Sequence, residues 1–164
     1  MKKTFITLLL ALVAVLPTMA DGRADLSAIS SIEGVQEIKL GKEMLQMAIA
    51  SGMDMGEQME GMSAEMLKNV NEMSIYLAQD ATAAPVIDAC VNELKANKSY
   101  ETLASMQNQE GTVAIYAYPV EGGYDELLMF ICTEETGAIV MQLLGQFTPE
   151  MLQELVKATA NAEE

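Results

Sequence analysis

The 164-residue sequence predicts an α+β domain, a mainly antiparallel sheet of about six strands packed with three or four helices. Three observations carry this. Tyr100–Phe147 breaks into four short apolar runs, Tyr100–Gln107, Thr112–Val120, Tyr124–Thr133 and Ala138–Leu144. Glycine recurs at each break, at Gly111, Gly122, Gly123 and Gly137, where tight hairpin loops need a residue that accepts positive φ. Runs of this length rich in Val, Ile, Tyr, Phe and Thr and bounded by such loops read as a meander. Helical periodicity appears before and after the meander rather than between its strands, which excludes a doubly wound fold.

The elements follow in order. Residues 1–20 read as a cleaved signal peptide: Lys2 and Lys3 give a positive start, Phe5–Leu16 an apolar run too short to span a bilayer, and Thr18 and Ala20 the small residues a signal peptidase accepts before Asp21. No cysteine lies near that point, so a lipid anchor is not expected. Residues 21–33 read as a loose, polar leader. One domain follows, over residues 34–160. Gly34 opens a strand over Val35–Leu40, and a helix from Lys42 places Met44, Leu45, Ala48 and Ile49 on one apolar face. A second helix over Gly56–Asn69 places Met55, Met59, Met62 and Met66 on one stripe.

Asn71–Ala78 alternates Met73, Ile75 and Leu77 against Glu72, Ser74 and Tyr76, the period of a half-buried strand. Pro85 fits only in the first turn of the next helix, which runs to about Asn97 with Ile87, Cys90, Val91 and Leu94 inward. After the meander, Thr148 and Pro149 mark a helix start: a hydroxyl cap, proline at the first helical position, and Glu150 near the positive end of the dipole.

Charge and composition bound the function. The chain carries 9 basic and 24 acidic residues. Loss of Lys2 and Lys3 with the signal peptide leaves 7 against 24, a net charge of −17, which repels phosphate backbones and disfavours nucleic-acid binding. There is no histidine, which removes Ser-His-Asp and Cys-His nucleophile systems. The carboxylate pairs, Asp125 with Glu126 and Glu134 with Glu135, are expected to point apart and to be solvated. No catalytic residue, cofactor site or enzymatic activity is predicted.

Some features could carry chemistry. Seven methionines lie between Met44 and Met66. Met44, Met47, Met53, Met55, Met59 and Met62 offer paired soft thioethers suited to Cu(I), but methionine equally fills irregular cores and adaptable apolar surfaces. Cys90 and Cys132 could bridge in an oxidising compartment, and a loop of about 40 residues would then contribute on the order of 3–4 kcal/mol. Two buried free thiols are the favoured alternative. Finally, Leu127, Met129 and Ile131 oppose Leu128, Phe130 and Cys132, so the central strands are apolar on both sides. Tyr116, Tyr118, Leu128 and Phe130 are candidates for a partner surface, unless the chain's own helices cover that second face.

The segments Glu33–Ile38 and Lys42–Met47, the strand Met73–Leu77, the opening Tyr100–Leu103 and the strand Tyr124–Ile131 carry a resemblance. They are similar to a family of small exported Bacteroidota proteins known only as a domain of unknown function. The resemblance covers about Ile29 to Val156 and implies export, an α+β fold and no established activity. We therefore expect an exported, periplasmic or secreted, non-catalytic binding or assembly module. Its partner is another protein or its own copy, with no stable membrane insertion after signal cleavage. The alternative is a periplasmic Cu(I) carrier using residues 44–66.

Overall fold

A computed structural model describes residues 23–51, 62–79, 82–96, 99–107, 111–133 and 137–161. One sheet of six strands organises the chain, in the spatial order β1-β2-β6-β5-β4-β3, and every neighbouring pair is antiparallel. Its strands are β1 (Gln36–Gly41), β2 (Val70–Ala78), β3 (Glu101–Gln107), β4 (Gly111–Val120), β5 (Gly123–Thr133) and β6 (Gly137–Phe147). The described helices are α1 (Ser27–Ser30), α2 (Lys42–Ala50), α3 (Ala64–Lys68), α4 (Ala83–Ala96) and α5 (Pro149–Asn161). The predicted meander is present as β3 to β6. β2 returns to pair with β6, so β1 and β3 form the two edges.

Glycine sets two of the turns. Gly122, with φ 87°, supplies the left-handed residue of the β4–β5 hairpin. Gly137, with φ 71°, opens β6, and a Cβ there would collide with the backbone oxygen of Ala78. The final helix starts as its sequence predicts: the Thr148 hydroxyl accepts the Met151 N–H at 3.4 Å and Pro149 occupies the first turn.

Both faces of the sheet are covered by the chain itself. On the first face, Leu45 of α2, Met66 and Leu67 of α3 and Leu152 and Leu155 of α5 pack on Met73, Ile115, Leu127, Met141 and Leu143. On the second face, Ala24, Leu26 and Ile29 with Ala83, Val86 and Cys90 of α4 pack on Tyr76, Ala114, Leu128, Phe130 and Val140. Residues 23–33 are therefore not a loose leader. They form a strap that buries Ile29 to 1% exposure, because the two-sided apolarity of β5 and β6 gives their few apolar side chains a surface to cover.

The methionine helix expected over Gly56–Asn69 is described only in part. Its first half, with Met53, Met55 and Met59 on or beside it, lies outside the described residues. Among the described residues the helical part is α3, which starts at Ala64, where the Ser63 hydroxyl caps it by accepting the Met66 N–H at 3.2 Å.

Candidate functional site

The residues singled out in the sequence separate into three places. Met44, expected on the apolar face of α2 with Leu45, stands instead 57% exposed, because α2 turns Leu45, its one fully buried side chain, onto the sheet; Met47 on the same helix is 68% exposed. Met62 and Met66 are instead buried in the first core. Tyr116 is half-buried and edge-on to Phe130, with ring centroids 5.8 Å apart. Leu128 and Phe130 lie under the strap and α4, and Tyr118 is half-buried beneath Arg23. Of the four proposed partner-surface residues, Leu128 and Phe130 are therefore interior, at 0% and 8% exposure, and cannot meet a partner. Both cysteines are unbridged. Cys90 is buried, and burial, with the Glu93 charge adding to it, pushes its thiol up to about 12. Cys132 lines a small apolar cavity of about 90 Å³ with Ile87, Phe130 and Tyr116.

A charged cluster holds the strap down. Arg23 donates from Nη2 to Asp125 Oδ2, and its Nε lies 3.7 Å from Glu126 Oε2. Its guanidinium also lies 5.7 Å from the centroid of the Tyr118 ring, in cation–π range. Tyr118 meets Tyr100 edge-on at 5.3 Å, and the Tyr100 hydroxyl accepts the Ala24 N–H at 2.9 Å. Gln142 Nε2 donates to Glu126 Oε1 at 2.7 Å. Glu126 is wholly buried. Desolvation raises its pKa, while Gln142, Tyr100 and Arg23 pull it back down. Burial likewise raises the Tyr100 phenol.

Asp125 and Glu126, expected to point apart and to be solvated, instead meet on one side through a β-bulge, with Glu126 buried. Tyr118 pairs with Glu126 and Pro119 with Tyr124, so Asp125 is an extra residue on β5. The alternation changes phase there. Tyr124 packs with Leu127 on the first core, while Asp125 and Glu126 both meet Arg23 on the other side. Pro119, which cannot donate to a ladder, is the sequence signal of that bulge. Through Arg23 and Ala24 the cluster ties the strap to β5 and to Tyr100, which makes it an anchor for the strap.

The β1 edge is different. Its residues Gln36–Gly41 are exposed apart from a half-buried Leu40, and they pair only with β2 among the described strands. Glu37 and Lys39 project to one side, with Nζ and Oε1 3.0 Å apart, and that contact raises the Lys39 pKa. Ile38, on the other side, is 42% exposed. Ile38 on the open strand and Met44 and Met47 on the helix that follows it are exposed apolar side chains, the chemistry of a docking edge. At the opposite edge, Leu103 of β3, Tyr124 and the α5 residues Leu152 and Val156 line an open groove of about 410 Å³.

Among the described residues, no group of three or more His, Cys, Asp or Glu side chains could hold a metal, and no helix is long and apolar enough to cross a membrane. Residues 30–155 match the model of a family described as a domain of unknown function (DUF4252). No curated protein and no solved structure gives a match.

Proposed function

The chain belongs to the DUF4252 family, whose description assigns no activity, and on that footing we propose an exported, non-catalytic binding or assembly module that engages a protein through β1 and α2. The observation that carries this reading is the exposure of Met44 and Met47, 57% and 68%, beside an edge strand whose outer side has no partner among the described strands. Unbranched thioether side chains suit a surface that must adapt to a partner. A strand edge supplies main-chain hydrogen bonds, and flanking apolar side chains supply selectivity. Export rests on the pattern of residues 1–20, and amino-terminal sequencing of the protein from the cell envelope should begin at Asp21.

The test is a photo-crosslinking side chain placed at Met44 or Met47 in cells, with Gln153 of α5 as an exposed control. Adducts that form at positions 44 and 47 and not at 153 support the reading. No adducts at 44 and 47, or equal adducts at all three, refute it.

A second reading keeps one observation in its favour. Met44 and Met47 are one helical turn apart and both exposed, so two soft ligands are accessible together. A Cu(I) carrier of this kind would compete with a chelator for the metal, and Met44→Leu with Met47→Leu would abolish the competition. No competition by the unaltered protein ends that reading.

A further inference from the structure

We infer that the partner at the β1 edge is a second copy of this chain, its β1 paired antiparallel about Ile38. The inference rests on the docking role proposed above for β1 and α2 and names the occupant. Charged side chains on an edge strand ordinarily guard it against pairing. Here the two charges have opposite sign and stand two residues apart on one side, Glu37 and Lys39. A twofold axis at Ile38 places Glu37 opposite the copy's Lys39, and Lys39 opposite its Glu37. The same axis sets Ile38 on its own copy and Gln36 on Leu40.

Neighbouring registers fail. An axis at Lys39 puts two ammonium groups face to face, and an axis at Glu37 puts two carboxylates together. Opposite charges across an antiparallel pair stabilise it and like charges destabilise it. So the charges favour one register of the strand with its own copy over the neighbouring ones.

The remaining surface agrees. Ile38 extends on the same side of the sheet as Leu40, which packs against the first core, and α2 lies over that side. A twofold therefore carries the exposed Ile38 and α2, with its exposed Met44 and Met47, to a common side of the joint. This is an isologous contact, closed by one axis, and it joins two six-stranded sheets into one continuous sheet.

Charge exchange tests the register. Light scattering on the purified protein should give twice the protomer mass as concentration rises. Glu37→Lys alone sets ammonium groups against each other at both crossings of the twofold, and Lys39→Glu alone sets carboxylates there. Each should weaken self-association by about tenfold or more. The double exchange should restore it. Mixing the two single variants in equal amounts should also restore it, as a heterodimer, although neither chain then keeps its internal Glu37–Lys39 pair. That last result separates pairing between copies from a merely structural role. Ile38→Cys should oxidise to a disulfide-linked dimer.

A protein that stays monomeric at the highest concentration it tolerates, or single variants whose mixture fails to associate, overturns self-pairing. In that case adducts at Met44 and Met47 that hold only other proteins' peptides leave the docking role standing. The absence of any adduct removes both.

Discussion

Truncating Arg23 to alanine should loosen the strap from the sheet, and the structure sets the size of the loss. The guanidinium faces two carboxylates, hydrogen-bonded to Asp125 and 3.7 Å from the wholly buried Glu126, and it lies over the Tyr118 ring. At an effective dielectric of 20, a pair of charges about 4 Å apart attracts by about 4 kcal/mol before desolvation is counted. Desolvation offsets much of this, and the Arg23 side chain is 38% exposed, so solvent screens it further. A net loss of about 2 kcal/mol remains, because removing the cation leaves Glu126 buried without its countercharge. For a domain of this size that lowers Tm by roughly 4–8 °C.

Thermal unfolding followed by circular dichroism at pH 7 measures the loss. Repeating it on a Glu126→Gln background isolates the charge, since an amide oxygen still accepts from Gln142. There the effect of Arg23→Ala should shrink by about 1 kcal/mol. Hydrogen exchange should speed up at Leu26 and Ile29 in the single variant, with β5 less affected. A loss below about 0.5 kcal/mol, or the same loss in both backgrounds, refutes the electrostatic account of the anchor.

Other outcomes follow from the same geometry. Burial raises the Glu126 pKa, so the native state holds this proton above the pH at which the unfolded chain releases it. Its contribution is then fully present below the ordinary value of 4.5 and lost as pH rises through the raised one. Glu126→Gln should therefore gain stability relative to the unaltered protein between pH 4.5 and 7 in denaturant titrations, and an unchanged difference across that window refutes this. Gly137→Ala forces a Cβ onto the Ala78 oxygen at a positive φ and should destabilise by more than about 1 kcal/mol. Gly41→Ala, where a Cβ meets nothing within 4 Å, should stay within about 0.5 kcal/mol. In the native protein at pH 8, Cys90 should resist alkylation while Cys132 reacts, and denaturant without reductant should expose two free thiols. A single labelled thiol, or none, in denaturant contradicts the unbridged arrangement.

Much of the fold was legible in the sequence because local and global signals agree there. Glycines at each break of Tyr100–Phe147 and the Thr148–Pro149 helix start specify turns and a cap directly. The two-sided apolarity of Leu127–Cys132 pointed to cover on both faces, and the structure supplies it from α4 and the strap. Two things escaped. The strap looked loose because Ala24, Leu26 and Ile29 are too few to show a period, although each is buried against the sheet. The anchor escaped because strict alternation sends Asp125 and Glu126 to opposite faces, and a single extra residue cancels that rule. Of the site proposed here, the exposed Met44 and Met47 were visible as a methionine cluster. The open edge of β1 was not, since strand order follows from the long-range return of β2 to β6.

The most direct measurement is residue-resolved amide exchange across Gln36–Gly41 as the protein is concentrated. The alternate β1 amides that do not bond to β2 should gain protection with concentration, in the unaltered protein and in the Glu37→Lys, Lys39→Glu double variant alike, and lose that gain in either single variant. Exchange at those amides that is independent of concentration would contradict the pairing of β1 with its own copy.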